Sequence, residues 1–320
     1  MMANLSIVIP AFREGTLLSA SLAEIAGVLR EHGFDFELIV VDDGSDDDTW
    51  EILQRASEDI SELRAISFTR NFGKEAAIAA GLSCASGQAV VVMDADLQHP
   101  PKLIPAMLRL WRDDGYEVVN AVKEDRGKES YWNRFAATAF YNLFAKLTGL
   151  KLINGSDFKL LDRTVVDAYC KLPERYLFFR GIVTWLGYRQ CSIPFRVNSR
   201  LKGNGKWNIV MRTIMATNAF TSFSAIPLQF VTVVGLLSLI ATFGLAVQTL
   251  YIWATGRAVE GFTTVILLIL AIGAVLMISL GIIGQYLAKI YDELKGRPRY
   301  LIGRKLRIDT PLPQQPATTK

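Results

Sequence analysis

Two long stretches without a single charge, Leu228–Trp253 and Phe262–Ala288, constrain this chain more than anything else in it. As a helix, each is long enough to cross the roughly 30 Å hydrocarbon layer of a bilayer. A core helix of a soluble domain keeps a polar face, and neither stretch has one. The pattern therefore predicts two membrane-spanning helices, 228–253 and 262–288. The loop Ala254–Gly261 joins them, with only Arg257 and Glu260 charged. These spans explain why 51% of the 320 residues are hydrophobic and why mean hydropathy is positive. Their flanks are basic. No Asp or Glu occurs from Arg175 to Val259, and Arg196, Arg200, Lys202, Lys206 and Arg212 precede the first span. Lys289, Lys295, Arg297, Arg299, Arg304, Lys305 and Arg307 follow the end of the second. Basic flanks stay on the cytoplasmic side, so the N-terminal portion and the C-terminus are expected in the cytoplasm, at a bacterial inner membrane. Leu5–Pro10 is too short, and lacks the basic lead, to act as a secretion signal.

Ahead of the spans the pattern changes. Leu5–Pro10, Phe36–Val41, Leu63–Thr69, Ala89–Met93 and Glu117–Val122 read as buried strands. Helical periodicity fills 15–31, 49–58, 74–85 and 103–113 between them. Strands alternating with helices at this spacing predict an α/β domain with a mostly parallel sheet. Farther on, Tyr131–Thr148 reads as an aromatic-rich helix, Asn154–Leu161 as a loop entering a strand and Arg163–Leu172 as a helix. Phe178–Leu186 is apolar and aromatic, and Tyr188–Val197 reads as an edge strand. Trp207–Ile226 is amphipathic and fits a helix lying in the membrane interface. The expected division is a domain over 1–205, interfacial helices over 206–227, the two spans, and a basic cytoplasmic tail over 289–320.

The strand Ala89–Met93 ends in Asp94-Ala95-Asp96-Leu97-Gln98-His99-Pro100-Pro101. Open α/β sheets bind ligands at the carboxyl ends of their strands. Two hard carboxylates there suit Mg2+ or Mn2+ held jointly with a diphosphate. Alone, such a pair is more often an ordinary acidic turn. Two further strand ends converge with it, Ala11–Glu14 and Asp42–Thr49. No G-x-G-x-x-G and no P-loop is present to cradle phosphate, which leaves charge neutralisation to a metal. Cys84, Cys170 and Cys191 are scattered and read as small core residues. The net charge of +4 is modest and clusters beside the spans, which fits anionic lipid headgroups rather than nucleic acid.

Four motifs in order carry a resemblance: Val8-Ile9-Pro10-Ala11-Phe12-Arg13-Glu14, Val41-Asp42-Asp43-Gly44-Ser45, Asp94-Ala95-Asp96-Leu97-Gln98-His99-Pro100-Pro101, and the juxtamembrane Arg200 with Lys206. Together, across residues 4–300, they resemble glycosyltransferase family 2, in its polyprenyl-phosphate branch. The resemblance implies a GT-A fold, a nucleotide-sugar donor such as UDP-glucose and a divalent cation. It also implies transfer of one sugar to a membrane polyprenyl phosphate such as undecaprenyl phosphate, with inversion. Pro10, Phe12, Glu14 and Asp43 match the nucleoside-binding positions. Asp94, Asp96 and Gln98 match the metal and diphosphate site. Arg200 and Lys206 match the basic pair at the phosphate groups; Arg126 and Arg134 match less closely. Phe12 replaces the Tyr often found there, which keeps stacking and loses a hydroxyl.

A phosphate acceptor is already anionic near neutral pH, so cations should matter as much as a base. Arg200, Lys206, Arg126 and Arg134 are the candidates to hold it, with Lys202 reserved for headgroups. Asp157 is the candidate base, able instead to orient the acceptor or to cap its own turn. Lys74 reads equally as a ligand to the base or phosphate and as a solvated lysine. His99 is read as orienting its loop rather than binding metal. A homo-oligomer is an open expectation. Two other readings compete: a processive polysaccharide synthase, disfavoured because Q-x-x-R-W is missing, and a non-catalytic membrane scaffold or flippase partner.

Overall fold

The computed structural model describes residues 5–124, 156–174, 178–196, 226–255 and 261–308. The expected aromatic-rich helix over 131–148, the interfacial segment up to residue 225 and the tail from residue 309 lie outside them. The chain divides into two compact units, residues 1–209 with 298–320, and residues 210–297.

The first unit is built on β1 (Leu5–Ala11), α1 (Gly15–Glu31), β2 (Phe36–Asp42), α2 (Thr49–Asp59), β3 (Leu63–Phe68), α3 (Lys74–Cys84) and β4 (Ala89–Val92). A single 3-10 turn, Pro101–Leu103, leads into α4 (Ile104–Arg112), then β5 (Val118–Lys123). After the undescribed stretch come β6 (Lys159–Asp162), α5 (Arg163–Lys171), α6 (Phe179–Trp185) and β7 (Gln190–Phe195). The second unit holds α7 (Ile226–Ala254) and α8 (Phe262–Leu294), and β8 (Ile302–Leu306) returns to the first.

Among the described residues, eight strands form one sheet in the order β7-β5-β6-β4-β1-β2-β3-β8. β1, β2, β3 and β4 run parallel, as do β5 and β7. β6 slots between β4 and β5 and runs antiparallel to both; β8 runs antiparallel to β3. The central strands are buried on both faces: β1, β2 and β4 are buried along their whole length. β-Branched runs such as Val90-Val91-Val92 favour that doubly buried, pleated environment.

The expected elements stand within a few residues of their predicted bounds, with one correction. The stretch 289–320, read as a basic tail, carries the end of α8 and the strand β8. Ile302 and Leu306 are half-buried and flank the exposed Gly303, Arg304 and Lys305. Strand β8 is short, and its charges made it read as solvated tail. In the second unit, α7 and α8 contact each other. Each contains a segment long and apolar enough to cross a membrane, Leu228–Leu245 and Ala271–Leu294, neither of them buried within the protein. Phe230, Leu239, Phe243, Met277 and Ile278 all stand exposed, an apolar surface that water alone disfavours.

Helix α3 lies close on β1 because it is made of small residues. A Cβ at Gly81 would fall 2.3 Å from Val8 Cγ1 and 3.3 Å from Val41 Cγ2. Replacing Gly81 by Ala should therefore overpack this layer and cost about 1–3 kcal/mol. For a unit of this size that corresponds to a thermal midpoint roughly 2–12 °C lower, measurable on the detergent-solubilised full chain. An unchanged midpoint would show that α3 has room to lift.

Candidate active site at the carboxyl edge of the sheet

The site is assembled from strand ends. β2 closes on Asp42 and Asp43, both buried. Asp42 Oδ1 accepts the Ser45 amide at 3.0 Å and Oδ2 accepts the Ser67 hydroxyl at 2.6 Å, tying the turn to β3. Asp43 reaches the next strand-end loop. Its Oδ1 accepts the Phe72 amide at 2.7 Å and its Oδ2 the Gly73 amide at 2.9 Å. Burial pushes the Asp43 carboxyl up, and these two amides offset only part of that, so its pKa stays raised. Gly44 makes the crossing possible: its φ is +67° and a Cβ there would lie 2.3 Å from the Arg70 carbonyl carbon. The loop after β1 joins the same rim. The Arg13 amide donates to Ser45 Oγ at 2.9 Å and its guanidinium pairs with Asp46. Pro10 is buried in β1, Glu14 is half-buried, and Phe12 stands exposed at the rim.

After β4 the chain turns sharply. Leu97 has φ +55°, an uncommon conformation for such a residue. The Gln98 amide donates to Asp96 Oδ1 at 3.1 Å, closing an Asx turn. His99 is buried, lies 5.0 Å from the Phe158 ring and stacks on it. Its Nδ1 accepts the Asp94 amide at 3.1 Å, which places the ring proton on Nε2. Burial lowers its pKa despite the nearby Asp94 charge. His99 thus orients the loop, as expected. Among the described residues no three His, Cys, Asp or Glu side chains gather to hold a metal unaided. Two carboxylates at one strand end do match the chemistry of a cation that takes its other ligands from a diphosphate.

The reversed strand β6 completes the site. Because it is antiparallel, its first residues lie where its neighbours end: Lys159 pairs with Val92 of β4 and with Asn120 of β5. Asp157 therefore sits two residues before that register and Asp94 two residues after it. The Lys74 ammonium spans them, 2.5 Å from Asp94 Oδ1 and 2.7 Å from Asp157 Oδ2. Arg180 Nε donates to the other Asp157 oxygen at 2.6 Å. Burial opposes ionisation of Asp157, yet Arg180 and Lys74 outweigh it and hold the carboxyl well below the usual range. Lys74 loses hydration, but Asp157 and Asp94 more than compensate and raise its pKa. Beneath, the Lys159 ammonium is buried and donates to Asn120 Oδ1; burial and Arg180 lower its pKa to about 8.

Asp43, Asp94, Asp96, Gln98, Lys74 and Asp157 thus meet on one edge of one sheet. Arg126, Arg134, Arg200 and Lys206 lie outside the described residues. Sequence reasoning missed Arg180. The usable signal was a lone cation inside the apolar run Phe178–Leu186, which needs an anion when folded.

Asp157→Asn should strand two partly hydrated cations and cost about 1–3 kcal/mol, less than a fully buried pair because Lys74 and Arg180 keep some water. A folded-state pKa below the unfolded value of 3.8 gives stability that is present above it and lost as pH falls toward the folded value. The gap between wild-type and Asn thermal midpoints should therefore be constant from pH 5 to 7 and close below about pH 4.

Residues 6–170 match the family model described as Glycosyl transferase family 2. An uncharacterized glycosyltransferase of Synechocystis sp. is 39% identical over 306 residues, covering 94% of this chain and 95% of that protein. The SfII prophage-derived bactoprenol glucosyl transferase of Shigella flexneri is 34% identical over 309 residues, covering 95% and 99%. Among solved structures, glucosyl-3-phosphoglycerate synthase from Mycobacterium tuberculosis, in complex with Mn2+, UDP-glucose and phosphoglyceric acid, is similar at a TM-score of 0.48 and 20% identity, covering 68% of this chain and 78% of that one. With a family match across half its length and sequence relatives along nearly all of it, the chain belongs to glycosyltransferase family 2.

Proposed function

We propose that this chain transfers one glucose from UDP-glucose to a membrane polyprenyl phosphate, with inversion at the anomeric carbon. The observation that carries this reading is the Lys74 ammonium held between Asp94 and Asp157. It joins the carboxylate of the diphosphate site to the candidate acceptor-side carboxylate through one cation. A Shigella relative aligned over almost its full length is named a bactoprenol glucosyl transferase, and two long apolar helices suit a lipid acceptor.

In this reading an oxygen of the acceptor phosphate forms the new bond to the anomeric carbon while the bond to the nucleoside diphosphate breaks. The electron pair leaves with the diphosphate, and the phosphate anion needs no proton removed. That agrees with the state of Asp157. A base works best with a pKa near the operating pH, and Asp157 is held far below it. Its part is to fix Lys74 and Arg180 as an electropositive rim for the incoming phosphate. A divalent cation, Mg2+ or Mn2+, would be held by Asp94 and Asp96, with Gln98 beside them, and would supply charge neutralisation for the leaving diphosphate. Pro10, Phe12, Glu14 and Asp43 border the nucleoside side. Arg200 and Lys206, with Arg126 and Arg134, are assigned to the acceptor phosphate. The catalytic unit and the C-terminus are assigned to the cytoplasmic side of a bacterial inner membrane.

Membranes carrying the protein should transfer labelled glucose from UDP-glucose to polyprenyl phosphate when Mg2+ or Mn2+ is supplied, with the lipid product identified by mass. Asp96→Asn should lower kcat roughly 100-fold or more while membrane insertion is unchanged. No transfer by the wild type from any common nucleotide sugar, or full activity of the Asn variant, would defeat the reading.

Gly44→Ala tests the donor side separately. Its methyl group meets the Arg70 backbone, so the Asp43 clamp on Phe72 and Gly73 must open. The donor KM should rise about tenfold with a smaller change in kcat, the pattern of lost uniform binding.

A further inference from the structure

Two consecutive residues of α3 and two consecutive residues of α6 close a ring around Asp157. Lys74 and Arg180 hold its two oxygens, as described. Their chain neighbours also meet: Glu75 Oε2 accepts the Phe179 amide at 2.8 Å. Phe179 is the first residue of α6, a helix of only seven residues. So short a helix has little stability of its own, and its leading amides have no partner within the helix. Its placement depends on what grips it from outside. Glu75 grips the amide one residue before Arg180, while the buried Phe179 ring meets Tyr169 of α5 edge-on at 5.9 Å.

We propose that Glu75 is a positioning residue that fixes the first turn of α6 so that Arg180 reaches Asp157, and thereby sets the cationic rim for the acceptor phosphate. The inference rests on the transferase reading given above for Asp157. Glu75 touches neither the diphosphate carboxylates nor the reacting atoms; it acts through the α6 backbone.

The same contact makes the rim sensitive to pH. The charged and titratable groups facing Glu75 are Asp157 ahead of β6, Arg180 on α6, Tyr169 on α5 and Lys74 on its own helix. Lost hydration, then the Asp157 charge, push the Glu75 carboxyl up to about 7, against the Phe179 amide, Arg180 and Lys74. Ionised, it makes a charge-assisted hydrogen bond to the amide; protonated, it makes a weaker one. Activity should thus fall as pH drops through about 7. Stability should move the other way. A folded-state pKa raised above the unfolded 4.5 favours folding fully below 4.5, and that contribution is lost as pH rises through about 7.

The test is the rate of glucose transfer by the full chain between pH 5.5 and 8.5. Glu75→Ala should lower kcat roughly ten- to a hundredfold, the size expected of a misplaced catalytic environment, with the donor KM unchanged. Glu75→Gln, whose amide oxygen still accepts the Phe179 N–H, should keep most of the activity and lose the acid limb near pH 7. Wild-type kcat in Glu75→Ala, Glu75→Gln as slow as Ala, or an acid limb surviving in Gln would each overturn the proposal. Should the Ala variant fail to fold, the isosteric Gln variant's pH profile decides alone. An inactive wild type, or a fully active Asp157→Asn, would count against the transferase reading. An inactive Asp157→Asn beside an unimpaired Glu75→Ala would count against Glu75 only.

Discussion

The site depends on one ammonium group standing between two carboxylates that the chain separates widely. Lys74 starts α3, Asp94 ends β4 and Asp157 precedes β6, yet a single Nζ lies within 2.7 Å of an oxygen from each aspartate. Strand direction is what allows it. Were β6 parallel to β4, its carboxyl end would face the loops and Asp157 would be carried to the opposite edge of the sheet. Antiparallel insertion puts the start of β6 beside the end of β4, in register Val92 to Lys159. The electrostatics of the site follow from that reversal.

Charge is distributed unevenly across the rim. On the β2 side the carboxylates of Asp42 and Asp43 are spent on hydroxyl and amide donors of neighbouring loops. They hold loop geometry, the work of preorganisation. On the β6 side, Asp157 is met by Lys74 and Arg180 directly and by the buried Lys159 through space. On one half of the rim carboxylates are held by loop donors; on the other, cations are interleaved with carboxylates, Lys74 shared by Asp94 and Asp157 and Arg180 on Asp157 alone. In the proposed transfer one anion approaches another, and this arrangement fits it: cations on one side would lower the repulsion of an incoming phosphate, while loop geometry on the other side is already fixed.

The sheet was legible in the sequence because its central strands, such as β1, β2 and β4, are buried on both faces and so appear as short apolar runs between turn residues. Asp94 and Asp96 were legible because carboxylates that end such a run stand out. The direction of β6 was not. No local pattern distinguishes a parallel from an antiparallel strand of four residues, and more than thirty residues separate β5 from β6 in the sequence, room enough for either direction. Lys74 was visible as a helix-start lysine, but its role depends on β6 and stayed ambiguous with it. Arg180 hid inside an apolar segment, and Glu75, an acidic residue in a first helical turn, carries no local mark that sets it apart from ordinary helix-start charge. β8 was missed because three of its five residues are exposed and two of these, Arg304 and Lys305, carry charge, which reads as tail.

That missed strand also changes how the first unit is held. The chain leaves this unit after β7 and comes back to it at β8, and these are the two outer strands of the sheet. Everything in between in sequence belongs to the apolar pair α7 and α8 or its approach. Both open edges of the sheet are thus formed by the segments nearest the apolar helices in the chain, and both are protected against pairing with another strand. β7 carries Pro194, which lacks an amide to donate; β8 presents Arg304 and Lys305. On β8 the strand is also pinned by side chains. Tyr300 stacks on Phe68 at 4.9 Å, and Arg304 lies over the Trp50 ring at 5.9 Å.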